Sequence, residues 1–95
     1  MSSPLAYLRT EKLSVGTAGA ANSTIVATRP ITLAVSSDVA FHAVIGLSDD
    51  NPTADNADPY FPTGEVYVFK LPAHSEISIR GVASGSAWVS EVTRN

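Results

Sequence analysis

VAFHAVIG, from Val39 to Gly46, is followed by LSDDNPTADNADPYFPT, from Leu47 to Thr63, and then by EVYVFKL, from Glu65 to Leu71. In the first run Val39, Phe41, Ala43 and Ile45 alternate with Ala40, His42 and Val44. A period of two is the mark of a half-buried strand. In the last run Val66 and Val68 share one face, while Tyr67, Phe69 and Leu71 share the other. Both faces are apolar, which predicts a central strand buried on both sides. The polar connection between the two runs is longer than is usual in a compact domain, and ordered connections of that length are often functional.

The rest of the chain supports an all-β reading. Thr24 to Thr28 is a β-branched run, interrupted by Pro30, which cannot donate to a ladder. Ile31, Leu33 and Val35 alternate with Thr32 and Ala34, and Ser36-Ser37-Asp38 reads as a turn. After the turn at Pro72-Ala73-His74, Ile77 and Ile79 alternate with Ser78 and Arg80. Gly81 to Gly85 turns again, and Ala87 to Val92 closes the fold. Short strands between regularly spaced turns predict a small antiparallel β-sandwich, jelly-roll-like or barrel-like, of about six to seven strands.

The N-terminal residues admit two readings. Ser3-Pro4 fits a helix start, with Leu5 and Leu8 on one face. An extended arm or edge strand fits as well, with Leu13 and Val15 alternating around Ser14. Either way Leu5, Tyr7, Leu8, Leu13 and Val15 predict docking, at home or on a neighbouring chain. Gly16 to Ser23 is small and polar, as a flexible linker would be. The expected organisation is an N-terminal arm and linker over 1–22 and a sandwich domain over 23–95.

Composition bounds the function. The 95 residues allow one domain, 44% apolar and 16% charged, which argues against general disorder. There is no cysteine, so neither a disulfide nor a thiolate metal site staples the core. Small domains without staples are marginal alone, and association is one remedy. No stretch has the apolar length of a membrane helix, and no basic segment leads into an apolar one at the N-terminus. No membrane partner and a cytoplasmic site of synthesis are expected. The net charge is −3, and Arg9, Lys12, Arg29, Lys70, Arg80 and Arg94 are scattered, so no nucleic-acid footprint is expected.

The candidate chemistry is thin. Asp49, Asp50, Asn51, Asp55, Asn56 and Asp58 offer oxygen ligands for calcium, but without EF-hand spacing. The other reading is a loop whose Asp and Asn side chains make local turns. His42 and His74 lack the further ligands that zinc requires. Neither a nucleophile elbow nor a phosphate loop is present. No enzyme activity, cofactor or metal is therefore expected. Tyr60, Phe61 and Pro62 are candidate partner anchors, because aromatics dominate interface energetics, or else a lid over the sandwich end. Trp88 is a core filler or a subunit contact.

Four short motifs occur in order: Asp38 to His42, Asn51-Pro52-Thr53-Ala54, Tyr60-Phe61-Pro62-Thr63-Gly64, and Gly85 to Val92. In these the chain resembles small virion proteins of tailed bacteriophages and prophages, over about the last 60 residues. The resemblance implies a structural protein of the capsid surface, made in the host cytoplasm, that decorates or cements the shell by binding the major capsid protein across subunit junctions. It also implies a homo-oligomer, often a trimer, and supplies no catalytic residue. A head–tail or tail subunit, or a carbohydrate- or partner-binding β module of the adhesin type, are the alternatives. The residues expected at a partner or oligomer interface are Leu5, Tyr7, Leu8, Leu13, Tyr60, Phe61, Pro62 and Trp88.

Overall fold

A computed structural model describes the chain from Leu5 to Arg94, with the side chains of these two end residues outside the description. It contains eight strands: β1 (Leu5–Val15), β2 (Ala21–Asn22), β3 (Ile31–Ser37), β4 (Phe41–Leu47), β5 (Tyr60–Phe61), β6 (Tyr67–Leu71), β7 (Ser75–Gly81) and β8 (Gly85–Arg94). A 3-10 turn at Ser48–Asp50 follows β4.

Two four-stranded antiparallel sheets result, in the orders β1-β8-β3-β6 and β2-β7-β4-β5. Strands one and eight, two and seven, three and six, and four and five pair. The chain is thus one long double hairpin, rolled so that β3 also meets β8 and β4 also meets β7. That is the jelly-roll connectivity, in two sheets rather than a closed barrel.

The inner faces make the core. Leu33, Val35, Ala87, Val89 and Leu71 from one sheet meet Phe41, Ala43, Ile77 and Ile79 from the other. Full burial of each large side chain is worth about 1.5–3 kcal/mol. Phe61 stacks on Phe41 at a centroid distance of 5.2 Å and meets Phe69 edge-on at 5.3 Å. Phe61 therefore seals the sandwich between the sheets.

Four expectations change. First, the N-terminal segment docks at home, as an edge strand paired with β8 from Leu5↔Arg94 to Val15↔Gly85. Leu13 and Val15 are in the core. Gly16 and Gly19 form an isolated bridge, a tight turn that carries the chain from one sheet to the other. Thus, of the segment 1–22, the described residues 5–22 do not stand apart from the sandwich: β1 pairs with β8 and β2 with β7. Second, Thr24 to Thr28 is not a strand. Ile25 plugs the core there, while the backbone crosses between sheets and its N–H groups turn to side chains, Thr24 N–H to Glu11 and Ile25 N–H to Ser23 Oγ. Third, β6 is an edge strand, and Val66 and Val68 face solvent. Fourth, two-residue strands bring the total to eight: β2 and β5 are too short to show a period.

Glu11 ties β1 to the crossing. Its carboxylate accepts Ser23 Oγ at 2.7 Å, Thr24 N at 2.8 Å and Thr24 Oγ1 at 2.8 Å. Burial pushes the carboxyl up, but these three donors together outweigh it and hold it below its ordinary value.

Candidate interaction surface

The outer face of the β1-β8-β3-β6 sheet follows from the register. Leu13, Ala87, Val89, Leu33, Val35 and Leu71 point inward, so their neighbours point outward. One row reads Lys12, Trp88, Ser36; the next reads Thr10, Ser90, Ala34, Val68; a third reads Tyr7, Val92, Thr32, Lys70. Val66 precedes β6 on the same side.

Apolar and polar side chains share this face about equally. Ser90 and Ala34 form a low, buried centre, ringed by Tyr7 (56% exposed), Val66 (52%), Val68 (48%) and Trp88 (36%). Thr10 and Ser90 satisfy each other at 2.8 Å, so the low centre leaves no hydroxyl seeking a partner. The charges in the three rows are Lys12 and Lys70, with no carboxylate. Lys12 Nζ lies 5.9 Å from the Trp88 ring centroid, a contact worth about 0.5–1 kcal/mol at an exposed site. At the end of β1 the register shifts between Tyr7 and Arg9, so Leu8 is the extra residue of a bulge and is turned out to solvent.

The other sheet is different. Its outer face carries Asn22, Glu76, Ser78 and His42, and the connection after β4 folds back over them. Ala54 N–H donates to Ser78 Oγ at 2.9 Å, and Asn22 Nδ2 donates to the Pro52 carbonyl at 2.7 Å and to Glu76 Oε2 at 2.8 Å. His42 Nδ1 bonds the Asp58 carbonyl at 2.8 Å. The polar loop is thus an external layer, held because it satisfies polar side chains of the sheet beneath it. Asp55 Oδ1 accepts Ala57 N–H and Asp58 Oδ2 accepts Asp55 N–H, so two of the acidic side chains make local turns. Among the described residues no three His, Asp or Glu side chains gather as a metal site.

The expected interface residues divide. Tyr7, Leu8, Tyr60 and Trp88 are exposed. Trp88 is therefore not a core filler. Leu13 is buried in the core and offers no contact to a partner. Phe61 packs against Phe41, Tyr67 and Phe69, as a lid does. The Pro62 carbonyl accepts the Tyr67 hydroxyl at 2.7 Å. The side chain of Leu5 lies outside the described residues. Tyr60 lies on the sheet opposite Trp88, so the eight do not form one patch.

Sequence reasoning missed Val66, Val68, Lys12 and Lys70. For Val66, Val68 and Lys70 the signal was present in EVYVFKL, whose two apolar faces fit an uncovered edge strand as well as a buried central one. No protein-family model matches the chain, and comparisons with curated proteins and with solved structures return no match.

Proposed function

We propose that this protein is a non-enzymatic structural component of a tailed-phage virion, which decorates the shell as a homotrimer bound across capsid subunit junctions. The observation that carries this reading is the outer face of the β1-β8-β3-β6 sheet. Exposed apolar side chains gathered on one sheet face, with polar groups beside them, mark an interaction site on a small domain. Trp88 and Tyr7 are the residue types that dominate interface energy. The four motifs in which the chain resembles small virion proteins suggest the class of partner. The jelly roll is compatible with that class, although a fold alone does not assign a function.

A sugar-stacking module finds less support. Tyr60 and Trp88 stand on different sheets, and Phe61 is engaged in the core.

The test is co-sedimentation with shells assembled from the major capsid protein, beside light scattering of the free chain. Saturable binding to shells and a mass of about three chains would support the proposal. A monomer that stays in the supernatant at every shell concentration would overturn it.

A further inference from the structure

We propose that the open edge of β4, from Ala43 to Leu47, is a docking site for an extended peptide that carries an apolar side chain beside a basic one. The site lies on the second sheet and does not depend on the virion reading.

The backbone directions establish the edge. Val82 N–H donates to the Ala40 carbonyl at 3.0 Å and Ser48 N–H to the His74 carbonyl at 2.8 Å. Even-numbered residues of β4 therefore bond towards β7. Odd-numbered residues face the other way, as Ala43 does in donating to the Pro59 carbonyl at 3.2 Å. Pairing with β5 covers only Phe41↔Phe61 and His42↔Tyr60. Pro59 has no N–H to return to Ala43, so the ladder stops there. Beyond it, the N–H and carbonyl of Ile45 and the N–H of Leu47 point to the edge, with no partner among the described residues. Unpaired edge groups of this kind template an added strand.

Beside this edge the two sheets gape. Ala43, Ile45, Pro59, Phe61, Phe69 and Ile77 line an apolar crevice of about 240 Å³. A strand continuing the line of β5 would place alternate side chains into it. The preferred side chain is branched and aliphatic, because a polar one would lose its water without a partner. Asp49 and Asp50, both exposed, follow directly on the Leu47 end, and Asp58 adjoins Pro59. These charges favour lysine or arginine on the flanks of the incoming segment.

Leu47 offers a clean variant. Its φ is −61°, the value proline imposes, so Leu47→Pro removes the edge-facing N–H and leaves the β7 ladder intact. The probe is a blocked hexapeptide alternating valine and threonine, with lysine at both ends. Its binding is followed by NMR and by amide hydrogen exchange. The expected result is slowed exchange at Ile45 and Leu47, weaker binding by about tenfold in Leu47→Pro, and weaker binding of the same peptide with glutamate at its ends. The melting temperature of Leu47→Pro should match that of the parent. Should the variant not fold, a peptide N-methylated on alternate residues replaces it and should lose binding. Unchanged affinity in Leu47→Pro or for the N-methylated peptide, or protection located elsewhere, would overturn the proposal. So would protection of Ile45 and Leu47 without peptide that vanishes on dilution, since a second copy would then occupy the edge.

Discussion

Ala54 N–H donates to Ser78 Oγ at 2.9 Å, and both residues are fully buried although the bond lies on the outer side of the β2-β7-β4-β5 sheet. This bond joins the middle of the long connection to the middle of β7. It turns a segment without periodicity into a third layer. Replacing Ser78 by alanine leaves a buried N–H unsatisfied, at a cost of about 1–3 kcal/mol. Urea denaturation of Ser78→Ala should show that loss, with faster hydrogen exchange over 51–58. An unchanged midpoint would mean that the loop is held by its ends alone.

Gly85 makes a second tight junction. A Cβ at this position would collide with the Asp38 carboxylate and approach Val39 to within 2.8 Å. The Asp38 oxygen it would strike accepts Ser86 N–H at 2.8 Å, so the side chain cannot retreat without loss. Gly85→Ala should lower stability by about 1–3 kcal/mol. Adding Asp38→Ala to it should recover part of the clash while losing the bond. A double-mutant cycle measures that coupling, and strict additivity would refute it.

Glu11 makes folding sensitive to acid. Its carboxyl is held below its ordinary value of 4.5 in the folded chain, where burial is outweighed by the donors on Ser23 and Thr24. The unfolded chain then binds the proton more readily, so this stabilisation is complete above the unfolded value and is lost as pH falls through the folded one. The difference in stability between the parent and Glu11→Gln should therefore be largest near neutral pH, about 1–2 kcal/mol, and should shrink below about pH 4.5. A difference that stays constant down to pH 3 would show that Glu11 does not carry the effect.

The outer face of the β1-β8-β3-β6 sheet should be dispensable for folding and required for assembly. Val68 and Trp88 are on the outer side of the sheet, so Val68→Glu should change stability by about 0.5 kcal/mol or less, and Trp88→Glu, which also gives up the Lys12 contact, by about 1 kcal/mol. The same variants should abolish shell binding or trimer formation. Retained binding with a shared charge on this face would remove the surface from the proposed function.

The first strand carries the opposite expectation. Reading residues 1–15 as an arm predicts a body that folds without them. With Leu13 and Val15 in the core and β8 paired along β1, removal uncovers both the core and a new sheet edge. The truncated chain should be unfolded or aggregated by circular dichroism and gel filtration. A monodisperse, cooperatively melting product would restore the arm.

The β class was legible because period-two alternation in Ile31–Val35, Phe41–Ile45 and Ser75–Gly81 depends only on neighbours along the chain. Turn chemistry at Pro72-Ala73-His74 and Gly81–Gly85 marks the boundaries for the same reason, whereas the turn expected at Ser36-Ser37-Asp38 ends the strand two residues early, since β3 runs to Ser37. The candidate surface was half legible. The apolar N-terminal run points to Tyr7 and the lone tryptophan to Trp88, but which way they face does not follow from the sequence. Val66 and Val68 were assigned to the interior, since an apolar face reads alike whether protein or solvent covers it.

By its own order of residues, then, the chain determined an all-β, antiparallel domain without covalent staples. Only tertiary structure decided which strands stand at the edges, which sheet face is left bare, and that a polar loop roofs the other. Those outcomes depend on pairings such as β1 with β8 and Ala54 with Ser78. Their partners are far apart in the chain, and local pattern carries no information about distance in space.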